Sequence, residues 1–110
     1  MTDKIVVLST CGSLDVAERI ARGLVEKRLA ACVNLIPAMR SIYRWKDAVE
    51  DEQEVLLVIK SSRELFGELR AEIEKLHSYE LPEVVALPIV EGSEAYLLWL
   101  DRELAERPDQ

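Results

Sequence analysis

The sequence predicts an α+β domain: a four-stranded antiparallel sheet with two helices on one face and a further helix at the C-terminal end. Two observations carry that prediction. Four runs of β-branched and aliphatic residues recur along the chain, and two amphipathic stretches at helical spacing follow the first and the third of them. At 110 residues the chain is a single domain, 1–110, long enough to bury a core of its own.

Ile5 to Leu8 form a continuous strand run ending at Ser9-Thr10-Cys11-Gly12, where Gly12 marks a turn and Ser13 a helix N-cap. Ala17, Ile20, Ala21, Leu24 and Val25 then share one helical face, with Glu18, Arg19, Arg22, Glu26 and Lys27 on the other. Ala30 to Ile36 make a second strand, which Pro37 bends because proline removes a ladder donor. Ser41 to Trp45 regain strand character, Lys46 to Glu54 are polar, and Val55 to Lys60 resume as a strand, so this stretch reads as a long hairpin. Ser61-Ser62-Arg63-Glu64 has the spacing of a capping box, and Leu65, Phe66, Leu69, Ile73 and Leu76 trace a second helix ending near His77. Val84 to Val90 supply a fourth strand. Gly92-Ser93 then introduce a last helix carrying Tyr96, Leu97, Trp99, Leu100 and Leu104, before a frayed tail over 107–110.

The order β-α-β-β-α-β is the ferredoxin-like split β-α-β arrangement, whose strands lie in the order four, one, three, two. The end of the first strand and the start of the fourth share an edge, which puts Cys11 and His77 on one side. A sheet with one wet face should alternate apolar and polar residues, yet Ile5 to Leu8, Val55 to Ile59 and Val84 to Val90 are apolar on both faces. Two helices cover one face only. Leaving the other in water forfeits about 1.5–3 kcal/mol per large aliphatic side chain, so self-association is expected.

A formal net charge of −7 argues against nucleic acid and anionic membranes as partners. The first apolar run is too short for a signal h-region or a membrane span, so the expected location is cytoplasmic. Cys11 and Cys32 form no C-x-x-C pair and are expected as reduced thiols, Cys32 as a small buried hydrophobe.

The chemistry concentrates between His77 and Glu83, where one imidazole, one phenol and two carboxylates occupy a helix-to-strand connection. A soft site for Cu(I) or Zn(II) uses the Cys11 thiolate and the His77 imidazole, with Glu80 or Glu83 as an oxygen donor. A lone histidine at a helix end more often serves as a hydrogen-bonded cap than as a ligand. Trp45, Tyr43 and Tyr79 suit either interface packing or the lining of a small-molecule pocket. Glu80 and Glu83 have no nucleophile, phosphate loop or triad beside them, so no catalytic residue is assigned and an enzyme is not expected.

Several segments in order resemble the CutA divalent-cation tolerance family: Ala30 to Pro37, Ser41 and Tyr43 with Trp45, Glu54 to Lys60, His77 to Glu83, Leu87-Pro88-Ile89, and Tyr96-Leu97 with Trp99. The resemblance implies a ferredoxin-like homotrimer, without clear catalytic activity, linked to copper and heavy-metal tolerance. Copper or another divalent metal ion is the implied ligand. Metal ligation in the family implies a first-strand cysteine and adjacent histidines; here Ser9 stands at the cysteine position and Leu76 beside His77, with Cys11 two residues on, facing the same side. Two further departures are Ser78 where the family has proline, and Trp45-Lys46-Asp47 where it has Trp-x-Gly, with Asp47 able to take a left-handed turn. The alternatives are a trimer similar in plan to nitrogen-regulatory proteins, sensing a small anion or nucleotide beside His77, Tyr79 and Lys60, and a structural scaffold trimer.

Overall fold

The protein's structure, a computed structural model, describes residues 2–106. Strand β1 (Lys4–Cys11) alternates from Ile5 onward: Ile5, Val7, Ser9 and Cys11 are buried, while Val6, Leu8 and Thr10 are only half-buried. That is the period-two consequence of a strand with one helix-covered face. Helix α1 (Leu14–Glu26) starts where expected, with the Ser13 hydroxyl accepting from the Val16 N–H at 3.3 Å. Its Ala17, Ile20 and Leu24 pack in one core with Ile5, Val7, Leu57 and Ile59.

Strand β2 (Cys32–Trp45) is continuous through Pro37, and the bend appears as a register shift between Ile36 and Met39 in its pairing with β3 (Ala48–Ser62). Lys46 and Asp47 join these strands with φ of 50° and 66°. Two positive-φ residues between paired Trp45 and Ala48 are the geometry of a tight hairpin turn whose twist matches its strands. Asp47 thus takes the left-handed conformation assigned to it. The polar segment Ala48 to Glu54 is part of the ladder, paired with Met39 to Trp45, so the long hairpin forms as expected.

The expected capping box does not form. Ser61 still belongs to β3, and its hydroxyl donates to the buried Leu29 carbonyl at 2.7 Å. A 3₁₀ turn over Arg63–Leu65, with Ser62 as its N-cap and no side-chain cap bond, leads into helix α2 (Phe66–Leu76). Leu69 and Ile73 of α2 are fully buried, and His77 is its C-cap. Strand β4 (Val85–Pro88) is shorter than the apolar run predicted. Sheet order is β2-β3-β1-β4, with every neighbour antiparallel, as expected from the sequence.

Helix α3 (Glu94–Glu103) is capped by the Ser93 hydroxyl and buries Leu100. Lys4 anchors it: the buried ammonium reaches Asp101 at 3.0 Å and Asp3 at 2.7 Å. Burial alone would lower the Lys4 pKa, but the two carboxylates outweigh it and the net shift is upward. The expected frayed tail over 107–110 lies outside the described residues. The sheet's second face stays open, with Ile36, Val85 and Leu87 exposed beside half-buried Val6, Leu8, Leu56 and Val58. Asn34 on this face accepts from Lys60.

Candidate functional site

The helix-to-strand connection after α2 is built around His77. Its N–H closes the last turn on the Ile73 carbonyl at 2.9 Å, and its extended backbone (φ −77°, ψ 153°) then turns the chain away from the helix axis. Across the gap, ring Nε2 lies 2.7 Å from the Thr10 carbonyl oxygen at the end of β1, so Nε2 carries the hydrogen and donates. Ring Nδ1 is then the acceptor, and it takes the Tyr79 N–H at 3.0 Å. Both imidazole nitrogens are thereby committed to holding the 77–79 turn against the sheet.

The consequence is the placement of Tyr79. Its ring packs on the imidazole with centroids 4.7 Å apart, and its hydroxyl donates to Glu54 Oε2 of β3 at 2.6 Å. A Cβ at Gly12 would stand 3.3 Å from the Tyr79 oxygen, so the glycine there leaves the phenol its room. Burial, then the hydrogen bond and charge of Glu54, push the Tyr79 phenol well above its ordinary value, and it stays a neutral donor. Thr10, His77, Tyr79 and Glu54 form one chain of contacts linking β1, the end of α2 and β3.

Thr10, Glu54 and Tyr79 of that chain help line a cleft of about 840 Å³ opening between the 78–83 loop and the β2–β3 hairpin. Tyr43 and Trp45 wall it on the hairpin side, Leu81 and Pro82 on the loop side, and Glu54, Glu80 and Glu83 bring three carboxylates against the ammonium of Lys46. Lys46 Nζ is 3.9 Å from Glu80 Oε2 and 5.6 Å from the centroid of the Trp45 ring. Burial and the neighbouring Glu52, Glu54 and Glu50 raise the Tyr43 phenol, so this end of the hairpin carries a negative field.

The four residues put forward as ligands therefore stand in different places. Glu80 and Glu83 are exposed at the cleft. His77 sits behind it as a doubly bonded support. Cys11 faces the helices in the core, its thiol donating to the Ser13 carbonyl at 3.5 Å, and burial raises its pKa away from the thiolate form. Lys60 lies on the open sheet face with Asn34 and is not among the residues lining the cleft. Glu54 was not singled out by sequence. Its signal was a charged residue immediately before the apolar run Val55 to Ile59, and only the fold supplies its Tyr79 partner.

A family model described as CutA1 divalent ion tolerance protein matches residues 5–103. The "Divalent-cation tolerance protein CutA" of Thermus thermophilus is 52% identical over 95 residues, covering 86% of this chain and 92% of that protein. "Protein CutA" of Homo sapiens is 48% identical over 97 residues, 88% of this chain but 54% of the human protein, so the chain spans about half that relative's length. Among solved structures, a divalent cation tolerance protein (Cut A1) from Thermus thermophilus superposes with a TM-score of 0.90 at 48% identity, over 93% of this chain and 99% of the other. The match runs from β1 to the end of α3 and the fold superposes on a solved member, so the chain belongs to the CutA1 divalent ion tolerance family.

Proposed function

We propose that the chain is a cytoplasmic, homotrimeric divalent-cation tolerance protein that acts by binding metal ions, not by catalysis. The observation that carries this reading is the charge balance of the cleft, three carboxylates against one ammonium. Carboxylate oxygens are hard donors suited to divalent cations, and a chain of net charge −7 concentrates cations around itself. Glu80 and Glu83, both exposed, make the first contacts with an incoming ion. His77 and Cys11 are the softer donors that copper or zinc prefers, and His77 ligates only by giving up its bond to Thr10 or to the Tyr79 N–H.

Among the described residues no three His, Cys, Asp or Glu side chains are grouped closely enough to hold an ion. A closed coordination sphere therefore draws on a second subunit. Assembly is supported by the open sheet face: Val85 and Leu87 are about half exposed, and burying each such side chain gains about 1.5–3 kcal/mol. Free Cys11 and Cys32 suit a reducing compartment. No helix among the described residues is long and apolar enough to cross a membrane.

Equilibrium dialysis of reduced protein against Zn(II) and Cu(I), with a competing chelator of known affinity, tests the proposal. Saturable binding that weakens in Glu80→Gln/Glu83→Gln supports the cleft; loss confined to Cys11→Ala and His77→Ala moves the ion to the soft pair. Binding that never saturates refutes both.

A further inference from the structure

The geometry points to a second class of ligand for this cleft: a small primary alkylammonium ion, held between the Trp45 ring and the carboxylates of Glu80 and Glu83. The inference rests on reading the cleft as cation-attracting, and it is separable from metal binding.

The chain already seats an ammonium there. Lys46 Nζ stands 5.6 Å from the Trp45 ring centroid and 3.9 Å from Glu80 Oε2, an aromatic face on one side and a carboxylate on the other. This is the arrangement by which proteins recognise ammonium groups. Lys46 holds the position loosely, because its side chain is 72% exposed and that of Glu80 69%, and a long ion pair between exposed groups contributes little. An incoming amine displaces it at small cost.

The walls supply what a bare metal ion has no use for. Ile42, Tyr43, Leu81 and Pro82 offer apolar surface to a methylene stem beside the charged end. Glu54 lies deeper, 7% exposed, with its Oε2 held by the Tyr79 hydroxyl, so a diamine has a second carboxylate to reach. The lining carries three carboxylates and one ammonium, which disfavours an anion or nucleotide in the same space.

Isothermal titration calorimetry of the full chain with 1,4-diaminobutane at constant ionic strength tests this, with sodium chloride and 1,4-butanediol as charge-only and stem-only controls. Saturable heat is expected for the diamine alone. Trp45→Ala should weaken binding about two- to fivefold, the loss of one cation–π contact at an exposed site. Glu80→Gln, at an exposed position that leaves the fold intact, should also weaken it, and Lys46→Gln should strengthen it by removing the internal competitor. Zn(II) titrated in parallel separates the two readings, because Trp45→Ala should leave the metal isotherm unchanged. Diamine heat no different from sodium chloride in both the wild type and Lys46→Gln overturns the inference, as does binding indifferent to Trp45→Ala. Diamine binding without zinc binding sinks the metal proposal and leaves this one standing.

Discussion

Tyr79→Phe removes one oxygen from the structure and should cost far more than an ordinary surface change. The lost contact is a 2.6 Å hydrogen bond to the carboxylate of Glu54, a residue only 7% exposed. A hydrogen bond to a charged group contributes about 1.5–3 kcal/mol, and its removal leaves a largely desolvated carboxylate oxygen without its donor. Unfolding entropy of about 2.1 cal/mol/K per residue makes 1 kcal/mol worth about 4 °C in a chain of 110 residues. The expected fall in Tm is therefore about 6–13 °C, measured by calorimetry at matched protein concentration, since association also shifts Tm. The double-mutant cycle with Glu54→Gln should return a coupling of at least about 1 kcal/mol. A Tyr79→Phe protein within about 0.5 kcal/mol of wild type, with an additive cycle, would refute the reasoning. Raised pH offers an independent check. The Tyr79 pKa is raised in the folded protein above an unfolded value of about 10, so its contribution is complete below that pH and is lost as pH climbs through the folded value. Wild type should lose stability more steeply than Tyr79→Phe above about pH 10 in urea titrations.

Ser9 predicts the opposite sign: its buried hydroxyl has no hydrogen-bond partner among the described residues, so Ser9→Ala should stabilise by about 1 kcal/mol in urea melts, and a destabilised variant would contradict that. Ile73→Ala empties a fully buried position between α2 and the sheet and should cost about 2–5 kcal/mol, read as a drop in denaturation midpoint. Leu87→Asp places a charge on the open face of the sheet, where Leu87 is 51% exposed in the single chain. Sedimentation should show a shift toward monomer with the circular dichroism spectrum retained, and an unchanged sedimentation coefficient would argue that this face is not the contact.

The fold was legible because its periodicities are clean. Ala17, Ile20 and Leu24 repeat at helical spacing and all three are fully buried, while the apolar runs set four strands in the order found. The boundaries were less legible where tertiary partners decide. Ser61 looked like a cap because its spacing to Glu64 fits one, but the Leu29 carbonyl lies within reach only after β3 is laid down. Ala48 to Glu54 read only as the polar part of a long hairpin, because an acidic run without apolar alternation does not mark its own strand, and the pairing of Glu50, Glu52 and Glu54 with Tyr43, Ser41 and Met39 comes from across the hairpin. At the site, the histidine loop was identifiable from composition alone. Its division of labour was not, since the commitment of both His77 nitrogens depends on Thr10, 67 residues away in sequence. Cys11 and His77 do reach the same end of the sheet, but the pleat of β1 turns the thiol into the core under the helices.

If cations are received at the carboxylates of the cleft, a crystal soaked in Zn(II) and measured by anomalous diffraction at the zinc edge should locate them there. An anomalous peak is expected about 2.0–2.2 Å from an oxygen of Glu80 or Glu83, with the His77 bonds to Thr10 and Tyr79 intact. A peak bonded to Cys11 Sγ and a rotated His77, with none in the cleft, would contradict it.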